Sequence, residues 1–206
     1  YCARILVFEV ENNKKITDIE NAYTAKEKNR LKEIEAVRTR QDKAIASFVD
    51  DFDKEIALYV EDLRNNARSE AILAELAKLN DQLYALTRER NVKVQQIMQD
   101  YRAGINDLVV ARKASFMTAE TAFKAEVKRI VDKSKVDCKA LRDVRQIFDD
   151  TTGGLKATHG VFKKKIAGLV TSTTALNKLS ATRDTAWESM IADYKAKVQS
   201  VISAFK

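Results

Sequence analysis

Apolar residues recur at steps of three and four along nearly the whole chain, which is the spacing of one face of an α-helix. One apolar stripe covers residues 16–63, a second covers 72–148 and a third covers 176–205. The pattern predicts two long helices and a C-terminal helix. The gap between the first two stripes predicts that the chain reverses at residues 65–69.

The predicted reversal also has the local composition of a helix boundary. Asn65 and Asn66 interrupt the first stripe, and Ser69 followed by Glu70 suits a helix cap and its first turn. Gly104 lies inside the second stripe, so a break of the second helix there is an alternative. The first ten residues are rich in β-branched and apolar side chains and suit a strand as well as a buried helix.

The composition favours uninterrupted helix. The 206 residues contain no proline, and the first glycine is Gly104, although these two residues are the most frequent helix terminators. We therefore predict a single all-α domain over residues 1–206. It is an elongated antiparallel bundle of a long helical hairpin, a C-terminal third helix and a short helix associated with a loop.

The strongest break signal lies at residues 149–160, where Asp, Thr and Gly are concentrated. It predicts a loop, followed by a short helix at 161–170 and a Thr-rich cap at 171–174 that opens the last helix, which could instead restart near Thr185. An exposed loop is a candidate surface for a partner. The candidate partner-binding residues are Asp149, Asp150, Thr151, Thr152, Gly153, Gly154, His159 and Gly160.

The two cysteines, Cys2 and Cys138, are placed symmetrically about the predicted reversal. Two antiparallel arms of equal length, each about 95 to 105 Å long at 1.5 Å per residue, would bring both thiols to the same end. This predicts a Cys2–Cys138 disulfide, which would persist only in an oxidising compartment and so implies a secreted or surface-exposed protein. The alternative is a pair of unrelated thiols in a cytosolic protein.

The net charge of +7 is uneven along the chain. The C-terminal half of the second predicted long helix is rich in Lys and Arg, which would suit an anion-binding face. Acidic residues such as Glu126 and Asp132 are interleaved among them, so an ordinary solvated face is the alternative. The candidate anion-binding residues are Lys124, Lys128, Arg129, Lys133, Lys135, Lys139, Arg142 and Arg145.

Residues able to carry catalysis are scarce. His159 is the sole histidine, and the two cysteines do not form a C-x-x-C motif. A multi-histidine metal site is therefore impossible within one chain, and no phosphate-binding glycine motif is present. We expect a protein that is not an enzyme, with no cofactor and no metal.

These patterns favour a non-enzymatic, secreted or cell-surface helical-bundle protein that binds another protein or macromolecular ligand. Its contact surface would be the 149–160 region or the tip at residues 60–70. An amphipathic lipid carrier and a cytosolic coiled-coil protein docking on anionic membranes are alternatives. Nucleic acid is disfavoured, because the aromatic residues follow the apolar stripes. No apolar run reaches the length of a membrane span.

Overall fold

The structure, a computed structural model, describes residues 1–171 and 174–205. All four long elements are helices, and α2 contacts the other three in an antiparallel packing. No strand occurs in the described residues, so the all-α prediction is confirmed. After a short 3-10 helix at Cys2–Arg4, the helices are α1 (Ile5–Asn65), α2 (Glu70–Lys139), α3 (Val144–Thr171) and α4 (Thr174–Phe205).

The reversal between α1 and α2 lies where the sequence predicts it, at residues 66–69. Asn66 closes α1, because its side-chain amide donates to the Asp62 carbonyl at 2.8 Å. Ser69 caps α2, because its hydroxyl accepts a hydrogen bond of 3.3 Å from the Ile72 amide and so satisfies a free donor of the first turn.

Where the sequence leaves a strand or a helix break open as an alternative, the structure has continuous helix. The first residues form helix, α2 continues through Gly104, and α4 continues through Thr185. Gly104 has a packing role, since a Cβ there would lie 2.7 Å from Cδ2 of Leu179 on α4. Within the predicted cap at 171–174, Ser172 and Thr173 lie outside the described residues.

The predicted loop at 149–160 is wrong. These residues belong to α3, and the chain leaves α2 about ten residues earlier, at residues 140–143. The residues that read as a loop are Asp149, Asp150, Thr151, Thr152, Gly153, Gly154, His159 and Gly160, and all of them are helical.

Tertiary packing explains why the Thr and Gly residues of α3 remain helical. The Thr151 hydroxyl donates to the Ile147 carbonyl at 2.6 Å and lies 2.5 Å from the Ser134 hydroxyl on α2, so its polar atom is satisfied although it is buried. Gly154 lets α3 approach α2, since a Cβ there would lie 3.3 Å from Cδ1 of Ile130. Local break signals are therefore overridden by contacts with α2.

Replacing Gly160 by alanine tests whether residues 149–160 are helical. A Cβ at Gly160 would meet nothing within 4 Å, so the substitution should raise the free energy of unfolding by about 0.5 to 1 kcal/mol through helix propensity. The measurement is urea denaturation followed by circular dichroism. Gly104→Ala is the matched control, where crowding against Leu179 should offset the gain. A loss of stability in Gly160→Ala would contradict the helical assignment.

The chain divides into two compact units. Unit 1 comprises Tyr1–Glu33 and Asp107–Thr173, and unit 2 comprises Ile34–Asn106 and Thr174–Lys206. Each unit therefore contains one stretch of α1, one stretch of α2 and one shorter helix. The single-domain organisation stays a prediction.

The core of unit 1 is built around aromatic rings contributed by three helices. Tyr23 of α1 stacks on Phe116 of α2, with ring centroids 3.7 Å apart, and Phe123 of α2 stacks on Phe162 of α3 at 4.6 Å. Burial raises the pKa of the Tyr23 phenol, so that it stays neutral. The buried residues of this core are Ile5, Ile16, Tyr23, Phe116, Ala119, Phe123, Val127, Val131 and Phe162.

The core of unit 2 contains a buried arginine. The Arg90 side chain is fully buried, and its guanidinium carbon lies 4.6 Å from the Phe52 ring centroid and 5.1 Å from that of Tyr194. Asp53 is 3.5 Å from Nη2, and the Asn91 side-chain oxygen accepts from Nε and Nη2. The positive charge is therefore balanced by aromatic faces, an amide oxygen and a carboxylate.

Candidate functional site: the disulfide-linked end of unit 1

The disulfide joins the start of the chain to the last turn of α2. The Cys2 and Cys138 sulfurs are 2.04 Å apart and their Cα atoms are 5.8 Å apart, which is ordinary disulfide geometry. The predicted pairing is confirmed. Because the bond and the 3-10 helix are both at the entry to α1, they hold the first turn of α1 beside the end of α2.

The loop after α2 places a leucine in an unusual position. The Arg142 amide donates to the Asp137 carbonyl, and the Leu141 amide donates to the Cys138 carbonyl. These two hydrogen bonds form a Schellman motif, whose left-handed residue is usually glycine. Here Leu141 takes that conformation, with φ 52°, at a cost of about 1 kcal/mol for a residue with a Cβ.

Leu141 is also 92% exposed, and two apolar residues that follow it in the chain are exposed as well. Val144 is 48% and Phe148 is 42% exposed, on successive turns of α3. The Phe148 ring lies edge-on to Tyr1 at 5.1 Å and 6.5 Å from Phe8. We use the name disulfide-end patch for the exposed residues Leu141, Val144 and Phe148 together with the half-buried rings of Tyr1 and Phe8 that support Phe148.

Three residues of this patch lie in an environment that their apolar spacing does not predict. Leu141, Val144 and Phe148 continue the apolar stripe of α2 in sequence, which predicts a shared core face. The helix ends at Lys139, however, so these residues lie on the loop and on the start of α3. One available signal for the true boundary is Asp143, whose carboxylate accepts from the Arg145 amide at 2.8 Å and caps α3.

Some of the charged side chains in the segments that form the patch have partners, and others do not. Residues 1–8 and 137–148 contain four cations and two carboxylates. Asp137 pairs with Arg142 at 3.0 Å, and Asp143 is occupied by the α3 cap. Within the described part of the chain, the remaining three cations form no ion pair; they are Arg4, Lys139 and Arg145.

Most of the predicted anion-binding face is already paired with acids. The hydrogen bonds that the Lys124 ammonium donates to Glu120 and Glu20 raise the pKa of Lys124, and the one that Lys128 donates to Asp132 raises the pKa of Lys128. Each of these cations therefore has a carboxylate beside it that offsets much of its charge. The other close pairs are Arg129 with Glu126 at 2.6 Å, Lys135 with Glu9 at 2.8 Å and Arg142 with Asp137 at 3.0 Å.

Three residues of the predicted face form no ion pair with any described residue; they are Lys133, Lys139 and Arg145. Anion binding by this face stays a prediction.

The structure brings part of the two predicted residue sets together. Arg129 and Lys133 of α2 face Asp150, Thr151 and Gly154 of α3 across a cavity of about 230 Å³. The cavity has both charge signs, so it does not select an anion or a cation. Partner binding by the 149–160 segment stays a prediction, now for a helical face.

The remaining residues of that segment are distributed along α3. Asp149, Gly153 and Gly160 are exposed and Thr152 is half-buried. His159 is exposed, and its ring centroid is 6.2 Å from that of Phe123.

A second apolar surface lies near the α1–α2 turn in unit 2, where residues 60–70 are the other contact region that the sequence predicts. Leu58 is 65% exposed, and Ile72 and Leu73 are slightly more than 40% exposed. All three lie within regular helix, where an exposed apolar residue carries no conformational cost. This surface therefore lacks the strained, almost fully exposed residue that marks the disulfide-end patch.

Among the described residues, no three His, Cys, Asp or Glu side chains lie close enough to hold a metal ion. No helix in residues 1–171 and 174–205 is long and apolar enough to cross a membrane.

The chain matches no protein-family model, no curated protein and no solved structure.

Proposed function

We propose that this chain is a non-enzymatic binding protein, secreted or displayed at a cell surface, that recognises another macromolecule. The observation that carries the proposal is the disulfide-end patch, an exposed apolar surface on a covalently closed end of a helical bundle. Large exposed apolar side chains that cluster together are typical of interaction sites.

Two features support the compartment and the mode of action. A disulfide persists in oxidising environments, such as the extracellular space, and is rare in the cytosol. The same bond and the Asp143 cap restrict the end of the bundle before any partner arrives, so less conformational entropy is lost on binding. A surface that is already ordered before binding favours recognition by shape complementarity.

Two other functions have less support. A lipid carrier would have to open its helices, but the apolar stripes are buried in the aromatic core of unit 1, whose end the disulfide closes. Docking of the basic face on anionic membranes would need free cations, but five of its eight candidate residues already pair with acids.

A binding assay tests the proposed function. Purified, oxidised full chain carrying a fluorescent tag is added to intact cells of the species that encodes it and to their extracellular medium. We expect saturable binding to a component that protease treatment destroys.

Neutral and anionic vesicles are the comparison, with helicity followed by circular dichroism. Binding to vesicles with a rise in helicity would favour the lipid carrier. Absence of saturable, protease-sensitive binding would contradict the proposal.

A further inference from the structure

We propose that Leu141 is the anchor of this binding surface, and that its occupant is a protein with an apolar pocket bordered by carboxylates. This inference rests on the proposed function and names the surface and the chemistry of the partner. Three observations support it: the backbone conformation of the 140–143 loop, the exposure of Leu141 and the charged residues of the same segments.

The fold itself makes no use of the Leu141 side chain. The residue fills the left-handed position of a Schellman motif, which glycine occupies without steric cost. With 92% of its surface exposed, the side chain contributes little to the core. Stability alone would therefore favour glycine, and the presence of a leucine points to a contact that is made outside the chain.

The surroundings of Leu141 suit insertion into a pocket. The loop lies directly after the disulfide at Cys138 and directly before the capped start of α3. Phe148, on the first turns of α3, is 42% exposed, and its ring packs against the rings of Tyr1 and Phe8. One projecting side chain on a restrained, partly apolar base resembles the buried anchors that dominate protein interfaces.

The charges indicate the border of that pocket. Arg4, Lys139 and Arg145 form no ion pair within the described part of the chain, whereas Asp137 and Asp143 are both occupied. The exposed Asp149, which follows Phe148, offsets one of these cations, so positive charge is still in excess. A partner with carboxylates around an apolar pocket would complement this arrangement. An anionic bilayer is less well matched, because juxtamembrane segments that bind acidic lipids usually carry about four to eight clustered cations.

Site-specific photocrosslinking tests the location of the contact. A photoreactive leucine analogue replaces Leu141 in one sample of oxidised full chain and Leu58 in another, because Leu58 is an exposed leucine in regular helix of unit 2. We expect a protein adduct from position 141 and none from position 58. An adduct only at position 58 would overturn this inference while leaving the proposed binding function standing. A lipid adduct, an adduct with a second copy of this chain, or no adduct at 141 would also overturn it.

Variants then test the chemistry with the protein recovered from the adduct, purified and titrated directly. Leu141→Gly should weaken its binding roughly tenfold or more, while its melting temperature stays equal to or above that of the parent chain. Leu58→Ala is the matched control and should change the affinity by less than about twofold. Arg145→Glu should weaken binding and reduce its salt dependence. Unchanged affinity in Leu141→Gly, or tighter binding in Arg145→Glu, would overturn the inference.

Discussion

Replacing Cys2 and Cys138 together by serine is expected to lower the free energy of unfolding by about 3 to 5 kcal/mol. The bond joins residues 136 positions apart, so it removes much of the freedom of the unfolded chain. It also holds the first turn of α1 against the end of α2, beside the core residue Ile5. Serine is close in size to cysteine, so the substitution removes the bond with little change in packing.

Urea denaturation followed by far-ultraviolet circular dichroism measures this effect. The parent chain should lose the same stability when a reductant is added, whereas the double serine variant should not respond to it. A matched control is Ser115→Ala, since Ser115 is exposed in unit 1 and its hydroxyl bonds only its own helix, at the Ala111 carbonyl. Equal stability of the double variant and the oxidised parent chain would contradict the structural role of the disulfide.

Replacing Arg90 by alanine is expected to lower the free energy of unfolding by about 3 kcal/mol. The substitution empties a fully buried volume between Phe52 and Tyr194 and removes the cation that faces Asp53. Arg90→Met should retain most of the stability, because methionine fills a similar volume with a flexible apolar side chain. Asp53 is 40% exposed and can be hydrated when its partner is removed.

The fluorescence of Trp187 reports directly on this cluster. It is the only tryptophan, and its ring is 5.8 Å from Phe48, which itself lies 5.5 Å from the Arg90 guanidinium. Arg88→Ala is the matched control, because Arg88 is exposed two positions away on α2. Arg90→Ala and Arg88→Ala should unfold at clearly different urea concentrations. Coincident transitions would show that Arg90 does not stabilise unit 2.

Helical periodicity and cysteine spacing were sufficient to predict the main features of the fold. The gap near Asn66 and Ser69 marks a reversal that the structure confirms, because both residues satisfy helix-end backbone groups with their side chains. The Cys2–Cys138 pairing followed from equal arm lengths on either side of that reversal. Both inferences depend on repeating geometry, which a sequence expresses directly.

The true end of α2 could not be read in the same way. Its left-handed residue is a leucine, which carries none of the usual signal of glycine or asparagine, whereas the glycines of α3 serve close packing or are simply exposed. The disulfide-end patch was missed for this reason, since Leu141 in a continuous helix would point into the core. Recognition of such a site needs the backbone conformation and the exposure of the side chain.

Arg90 was also missed, although a signal for it exists in the sequence. It occupies the position expected of an apolar residue in the stripe that includes Leu83 and Val94, at steps of three and four from buried neighbours. A charged residue in that register predicts either a buried, compensated cation or a local break. The aromatic residues that compensate it come from α1 and α4, so their proximity is a property of the tertiary structure.

The redox state of the two cysteines in protein taken from its natural source tests the central claim most directly. The material is alkylated before it is lysed, digested without reductant and analysed by mass spectrometry. We expect one disulfide-linked peptide pair that contains Cys2 and Cys138. Two alkylated, unlinked cysteines would contradict the closed end of unit 1 and the secreted or cell-surface location together.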